Sequence, residues 1–154
     1  MKRGQTSTEY LIILAVVVVI ALIVISVLGG IPGIGRSTGE RASAAYWSNA
    51  DIGISAYSVA DDSSNDDVTL VIRNNLRNAI TINSITLDST VITSTSTTLA
   101  TGGSTTITNN TAGALCNAGE SFSFDMTIVY TDTVTGASYS FTGDGTKLEG
   151  TCAE

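Results

Sequence analysis

The chain has 154 residues, 43% of them hydrophobic and only 14% charged, with a net charge of −7, one Pro, one Trp, two Cys and no His. The absence of His removes the commonest general base and metal ligand, so serine-type triads, Cys/His dyads and most zinc sites have nothing to build on; no catalytic residue, metal or cofactor is expected. Seven Lys and Arg in a chain of pI about 4.3 give no electrostatic footprint for a polyphosphate backbone, and nucleic acid is not an expected partner.

The mean hydropathy of +0.29 averages two unlike parts. From residue 11 to residue 25 every side chain is Leu, Ile, Val or Ala, and after Ser26 the run adds Val27 and Leu28 before Gly29 and Gly30 end it. As a helix these positions rise about 27 Å, close to the roughly 30 Å hydrocarbon core of a bilayer, so the segment can span a membrane. Lys2 and Arg3 precede the run and no basic residue follows until Arg36, which puts the N-terminus in the cytoplasm and the larger C-terminal part outside. The run is longer than the apolar stretch of a secretory signal, Leu28-Gly29-Gly30 is a poor cleavage site and no Cys follows for lipid attachment. The helix is therefore expected to be retained.

The residues ahead of the helix read Lys2-Arg3-Gly4-Gln5-Thr6-Ser7-Thr8-Glu9-Tyr10. This resembles the class III signal peptide of archaeal type IV pilin-like proteins, in its Gln-x-Ser-x-Glu-Tyr form. The resemblance implies that a prepilin peptidase cuts between Gly4 and Gln5, removing residues 1–4 as a leader and keeping the helix. Glu9 then becomes the fifth residue of the mature chain, where type IV pilins carry a glutamate. Archaellins share the leader logic but usually lack this start, so the resemblance favours an adhesion-type pilin. It implies a membrane-inserted precursor, a pilus assembly machinery and copies of the chain itself as partners, and a filament at the cell surface as the destination. The physical chemistry runs the same way. A carboxylate at the edge of a membrane helix is costly to desolvate and needs a partner, which the new amine of a neighbouring subunit can supply. Glu9 as an interfacial residue beside Tyr10 is the other reading.

Next comes Gly29-Gly30-Ile31-Pro32-Gly33-Ile34-Gly35, with four glycines and the only proline. At about 1 kcal/mol per Gly and about 3 for an interior Pro, such a stretch should kink or unwind a helix. It reads as a joint for filament packing or as a plain linker. Residues 36–48 look helical again, with Ala42, Ala44 and Ala45 making a small-residue face that ends in Tyr46 and Trp47. Small residues permit close helix approach. The two aromatics are expected at the seam with the globular domain. Residues 5–49 thus form one N-terminal hydrophobic helix with a kink at 29–35.

Residues 50–154 read as strands of an extracellular β domain. Ile52 and Ile54 alternate with polar or small neighbours, as do Val68, Leu70 and Ile72. The apolar phase holds at Ile80 and Ile82, then jumps three positions to Ile85 and Leu87, which a β-bulge at Asn83-Ser84 explains. Phe122, Phe124, Met126, Ile128 and Tyr130 form the clearest strand, and after a turn at 131–136 the period resumes at Tyr139 and Phe141. The stretches around Arg73-Asn74-Asn75 and 80–87 also look like the β domain of archaeal pilins, loosely.

Cys116 and Cys152 are the only cysteines, and an even pair outside the cell reads as a disulfide. Closing a loop of about 37 residues should stabilise the fold by about 3–4 kcal/mol. Cys-x-x-Cys spacing is absent, which makes a redox role the weaker reading. Residues 89–111 are rich in Ser and Thr, with Gly102-Gly103 as a turn and Asn109-Asn110-Thr111 as the sole glycosylation pattern. Thr on the solvent faces of strands accounts for the composition equally well. Asp61, Asp62, Asp66 and Asp67 supply oxygen ligands for Ca²⁺ but lack EF-hand spacing, so a solvated turn is preferred.

The expected fold class is α+β, a long N-terminal hydrophobic helix followed by a small antiparallel β-sandwich or barrel-like domain. The expected function is structural, a filament subunit. The rivals are a monomeric membrane-anchored binding module, an archaellin, and an enzyme hydrolysing a glycan with an acidic pair, for which no nucleophile and base stand out.

Overall fold

The computed structural model describes residues 7–27, 32–62, 65–110 and 114–154, with side chains at 10–20 and from residue 38 onward. The chain divides into two units, Met1–Thr38 and Gly39–Glu154.

The first unit holds helix α1, Ser7–Val27, and the start of helix α2, Pro32–Asn49. Two helices therefore stand where the sequence suggested one bent helix. The expected kink falls partly on residues 28–31, outside the described residues. Its second half, Pro32-Gly33-Ile34-Gly35, is already helical. Proline opens α2 at the position where its missing N–H removes no helix hydrogen bond and its fixed φ suits the helix.

The second unit contains the rest of α2 and ten strands: β1 Ile52–Ala60, β2 Asp67–Asn74, β3 Ile80–Leu87, β4 Thr90–Thr93, β5 Thr97–Leu99, β6 Ser104–Asn110, β7 Ser121–Phe124, β8 Met126–Asp132, β9 Ser138–Phe141 and β10 Leu148–Thr151. One sheet has the order β1-β2-β6. A second runs β4-β3-β8-β9, with β5 pairing β3 on the same edge as β4, and β10 and β7 form a ribbon. All these pairings are antiparallel. The alternating residues Val68, Leu70 and Ile72 of β2 and Met126 and Ile128 of β8 are buried in a single apolar cluster shared by the sheets, the pattern of a β-sandwich. Asn74 is buried at the end of β2. Its side-chain amide donates to Asn78 O (2.8 Å), Leu99 O and Ala100 O, and its Oδ1 accepts from Leu76 N, which holds the β2–β3 loop.

The jump in apolar phase within β3 has its physical cause in the pairing with β8. Ile82 faces Tyr130 and Ser84 faces Val129, so the register shifts across Asn83. The extra residue returns Ile85 and Leu87 to the face of Ile80 and Ile82, and all four are fully buried. Asn83 donates through Nδ2 to Thr131 Oγ1 at 2.8 Å.

The alternation from Phe122 to Tyr130 is not one strand. It breaks at Asp125 into β7, paired with β10, and β8, paired with β3. Asp125 N donates to Asp88 Oδ1 and its carbonyl accepts from Asp88 N, both at 2.7 Å, while Asp88 takes the left-handed φ of +49°. The inward phase survives the change of sheet because Phe122, Phe124, Met126 and Ile128 line the same core.

Candidate functional site

Gly4 and Gln5 lie outside the described residues. Glu9 falls in the first turn of α1. Along α1 the ten large apolar side chains at 10–14 and 16–20 are 45–69% exposed, with no polar face among them. A helix apolar on all sides has no stable place in water; it belongs in lipid or inside a packed bundle. Among the described residues no helix is long and apolar enough to cross a membrane, the described side chains of α1 being those at 10–20.

In the second unit the end of α2 is fastened to the β domain. Trp47 is fully buried in the core, edge-on to Phe141, and its Nε1–H donates to Lys147 O at 3.2 Å. Ser43 Oγ–H donates to Lys147 O (2.9 Å) and accepts from Glu149 N (3.0 Å). Thr151 donates to Glu40 at 2.7 Å. Gly143, at φ +67°, passes so close that a Cβ there would stand 2.5 Å from the indole. The aromatic seam expected at Tyr46-Trp47 is thus a buried indole, while Tyr46 stays at the rim and donates to Asp144 Oδ2.

Cys116 and Cys152 are joined in a disulfide with Cα atoms 6.0 Å apart. The acidic stretch beside it differs from a solvated turn. Asp66 is 1% exposed and its Oδ2 accepts the backbone N–H groups of Leu115 and Cys116, while Asp61 accepts from Ala118 N and Asp67 from Asn110 Nδ2. Asp66 and Asp61 hold the cysteine loop through its backbone donors, a use that local sequence does not signal. No group of residues suited to a metal ion occurs among the described residues. Asn109 is half-buried on β6 and its Nδ2 donates to Ile92 O, so the acceptor nitrogen of the glycosylation pattern is engaged with β4.

One cleft escaped the sequence reading. It has a volume of about 440 Å³ and is walled by Asp51, the loop 75–78, Tyr130, Asp132 and Tyr139. Tyr130 and Tyr139 are direct cross-strand partners whose rings stack at 5.5 Å. Asn78 donates to Asp132 Oδ2 at 2.8 Å. That bond, then the N–H groups of Thr135 and Val134, hold the Asp132 carboxyl below its usual range. Burial, followed by the nearby Asp51 carboxylate, raises the Tyr130 phenol.

Residues 2–28 match the family described as Class III signal peptide, a segment typical of type IV pilins and archaellins. The match covers 27 of 154 residues and spans the leader, Glu9 and the apolar run. It implies a secreted filament subunit of pilin-like or archaellin-like type, processed at the membrane by a prepilin peptidase. No curated protein matches the chain.

Proposed function

We propose that the chain is a non-enzymatic structural subunit, without cofactor, of an extracellular type IV pilus-like filament serving surface adhesion. The observation that carries this reading is the signal-peptide match running directly into a helix apolar on every face. In the proposed sequence of events the precursor waits in the membrane, cleavage after Gly4 frees the amine of Gln5, and the helix moves into a core of identical helices. Lipid is about as apolar as that core, so the transfer needs an assembly machine rather than hydrophobicity alone. The archaellin reading shares the signal peptide; the Gln5-x-Ser7-x-Glu9-Tyr10 start favours the pilin.

Glu9 pairs in this scheme with the Gln5 amine of a neighbouring subunit. Removing one partner of a desolvated ion pair costs about 3–5 kcal/mol because the other charge is stranded. Glu9→Gln protein should be inserted and cleaved normally yet be depleted from sheared filaments relative to wild type, with Glu9→Asp intermediate. Mass spectrometry of the filament N-terminus should find Gln5. Chains beginning at Met1 in filaments, or equal incorporation of Glu9→Gln, would overturn the scheme.

A further inference from the structure

The cleft beside the stacked tyrosines has the composition of a ligand site. Tyr130 follows Met126 and Ile128 in the inward register of β8, and Tyr139 lies directly opposite it on β9. Residues in that register belong to the core. Yet Tyr139 is 48% exposed, and the cleft lies against it. Its volume falls within the roughly 300–1,000 Å³ typical of small-molecule clefts.

The walls are fixed in advance. Asn74 holds the 75–78 loop from beneath, Asn75 donates to Ala50 O at 2.7 Å, Asn78 is tied to Asp132, and Thr133 Oγ1 donates to Ala79 O at 2.8 Å. Other groups of the cleft are open to solvent, Asp51, Arg77 and Tyr139 being exposed and Tyr130 half-buried. Among the described residues the Arg77 guanidinium, the Asp51 carboxylate and the hydroxyls of Tyr130 and Tyr139 make no hydrogen bond to another side chain or to the backbone. The cleft therefore offers a forked donor, a forked acceptor and two hydroxyls beside the half-exposed side chain of Tyr139.

We propose that this cleft binds one neutral pyranose unit of a surface glycan, its C–H face on Tyr139 and its vicinal hydroxyls between Asp51 and Arg77. A pyranose presents such a combination, an apolar patch of ring C–H groups bordered by paired hydroxyls. Planar carboxylate and guanidinium groups match adjacent hydroxyls two at a time, and an aromatic ring supplies rigid apolar contact. Two carboxylates against one guanidinium, on a chain of net charge −7, disfavour acidic sugars and phosphates. The biological use of the site rests on the adhesion reading proposed above; the binding chemistry does not.

The test uses the full chain in a zwitterionic detergent without a sugar headgroup, applied to immobilised neutral oligosaccharides built of glucose, galactose, mannose or N-acetylglucosamine, with uronate-containing oligosaccharides as the comparison. Wild type should be retained on at least one neutral glycan and not on the uronates. Tyr139→Ala should weaken retention about tenfold, Tyr139→Phe should keep most of it, and Arg77→Ala and Asp51→Asn should each weaken it. Circular dichroism melting checks that every variant is folded. Three results would overturn the proposal: no retention of folded wild type on any neutral glycan, stronger retention on uronates, or retention unchanged in Tyr139→Ala and Arg77→Ala alike. Lower incorporation of Tyr139→Ala into filaments, with no glycan retained by wild type, would make the cleft a contact between subunits instead. Glycan retention by a chain that never forms filaments would leave the cleft standing and remove the filament reading.

Discussion

In α1 the large apolar side chains between positions 10 and 20 are 45–69% exposed, whereas in β3 Ile80, Ile82, Ile85 and Leu87 are fully buried. The two regions use the same residue types for opposite ends. The β domain alternates its apolar residues so that two sheets close over them, and it keeps no exposed apolar face of comparable extent among its described residues. The helix surrounds itself with apolar groups and closes over nothing. An element of that kind gets its stability from whatever later covers it, and the polar, mostly self-satisfied head can ride on it without competing for those contacts.

The largest effect should come from attacking the helix. Val17→Lys places a charge in the middle of the apolar run, at a cost of about 2.5–3.5 kcal/mol at the centre of a membrane helix, and should remove the chain from filaments altogether. The melting of the β domain should not move. A shift of both together would mean that the two regions are not separable.

Next in size is Trp47→Ala. It removes a fully buried indole and one of the two donors to the carbonyl of Lys147, which keeps Ser43 Oγ–H, and a loss of about 3–5 kcal/mol is expected in denaturant unfolding of the head. Smaller again, replacing Cys116 and Cys152 together by Ser should cost about 2–4 kcal/mol, read as a lower melting temperature and the loss of one linked pair in non-reducing peptide maps. Two alkylatable thiols in freshly isolated wild type would contradict the bridge.

The smallest change concerns Asp132. Its carboxyl is held below the usual value of 3.8, so it contributes stability that is present above that value and is lost as pH falls through the lower folded one. Asn78→Ala removes the largest contributor and should raise the Asp132 titration midpoint toward 3.8, measured by carboxyl NMR. An unmoved midpoint would show that the backbone donors of Thr135 and Val134 suffice.

The sequence pattern revealed most where structure is local. The phase jump between Ile82 and Ile85 located the β3 bulge because one inserted residue leaves its mark within four positions. The inward strand faces, the aromatic seam at Trp47 and the cysteine bridge were legible for similar reasons, each being written in residue type and spacing. What failed was whatever depends on the neighbouring sheet. The period from Phe122 to Tyr130 continues unbroken through Asp125 because both strands face one core, and the change of partner has no period of its own. The burial of Asp66 among polar neighbours and the cleft beside Tyr139 are products of loops meeting across the fold, so no local window contains them. Pro32 lies in the stretch whose propensities favour a kink, and it opens α2.

The seat of Trp47 also sets an order of events. The ties from α2 to Lys147, Glu149 and Thr151 each join residues 100 to 111 positions apart. At about 5–20 residues per second, α2 leaves the ribosome roughly 5–20 s before its partners do. During that interval the helix end lacks these ties, and a chain interrupted anywhere before residue 147 never acquires any of them. Firm attachment of helix to head is thereby reserved for chains whose β domain has been completed, a proofreading step that needs no separate inspector.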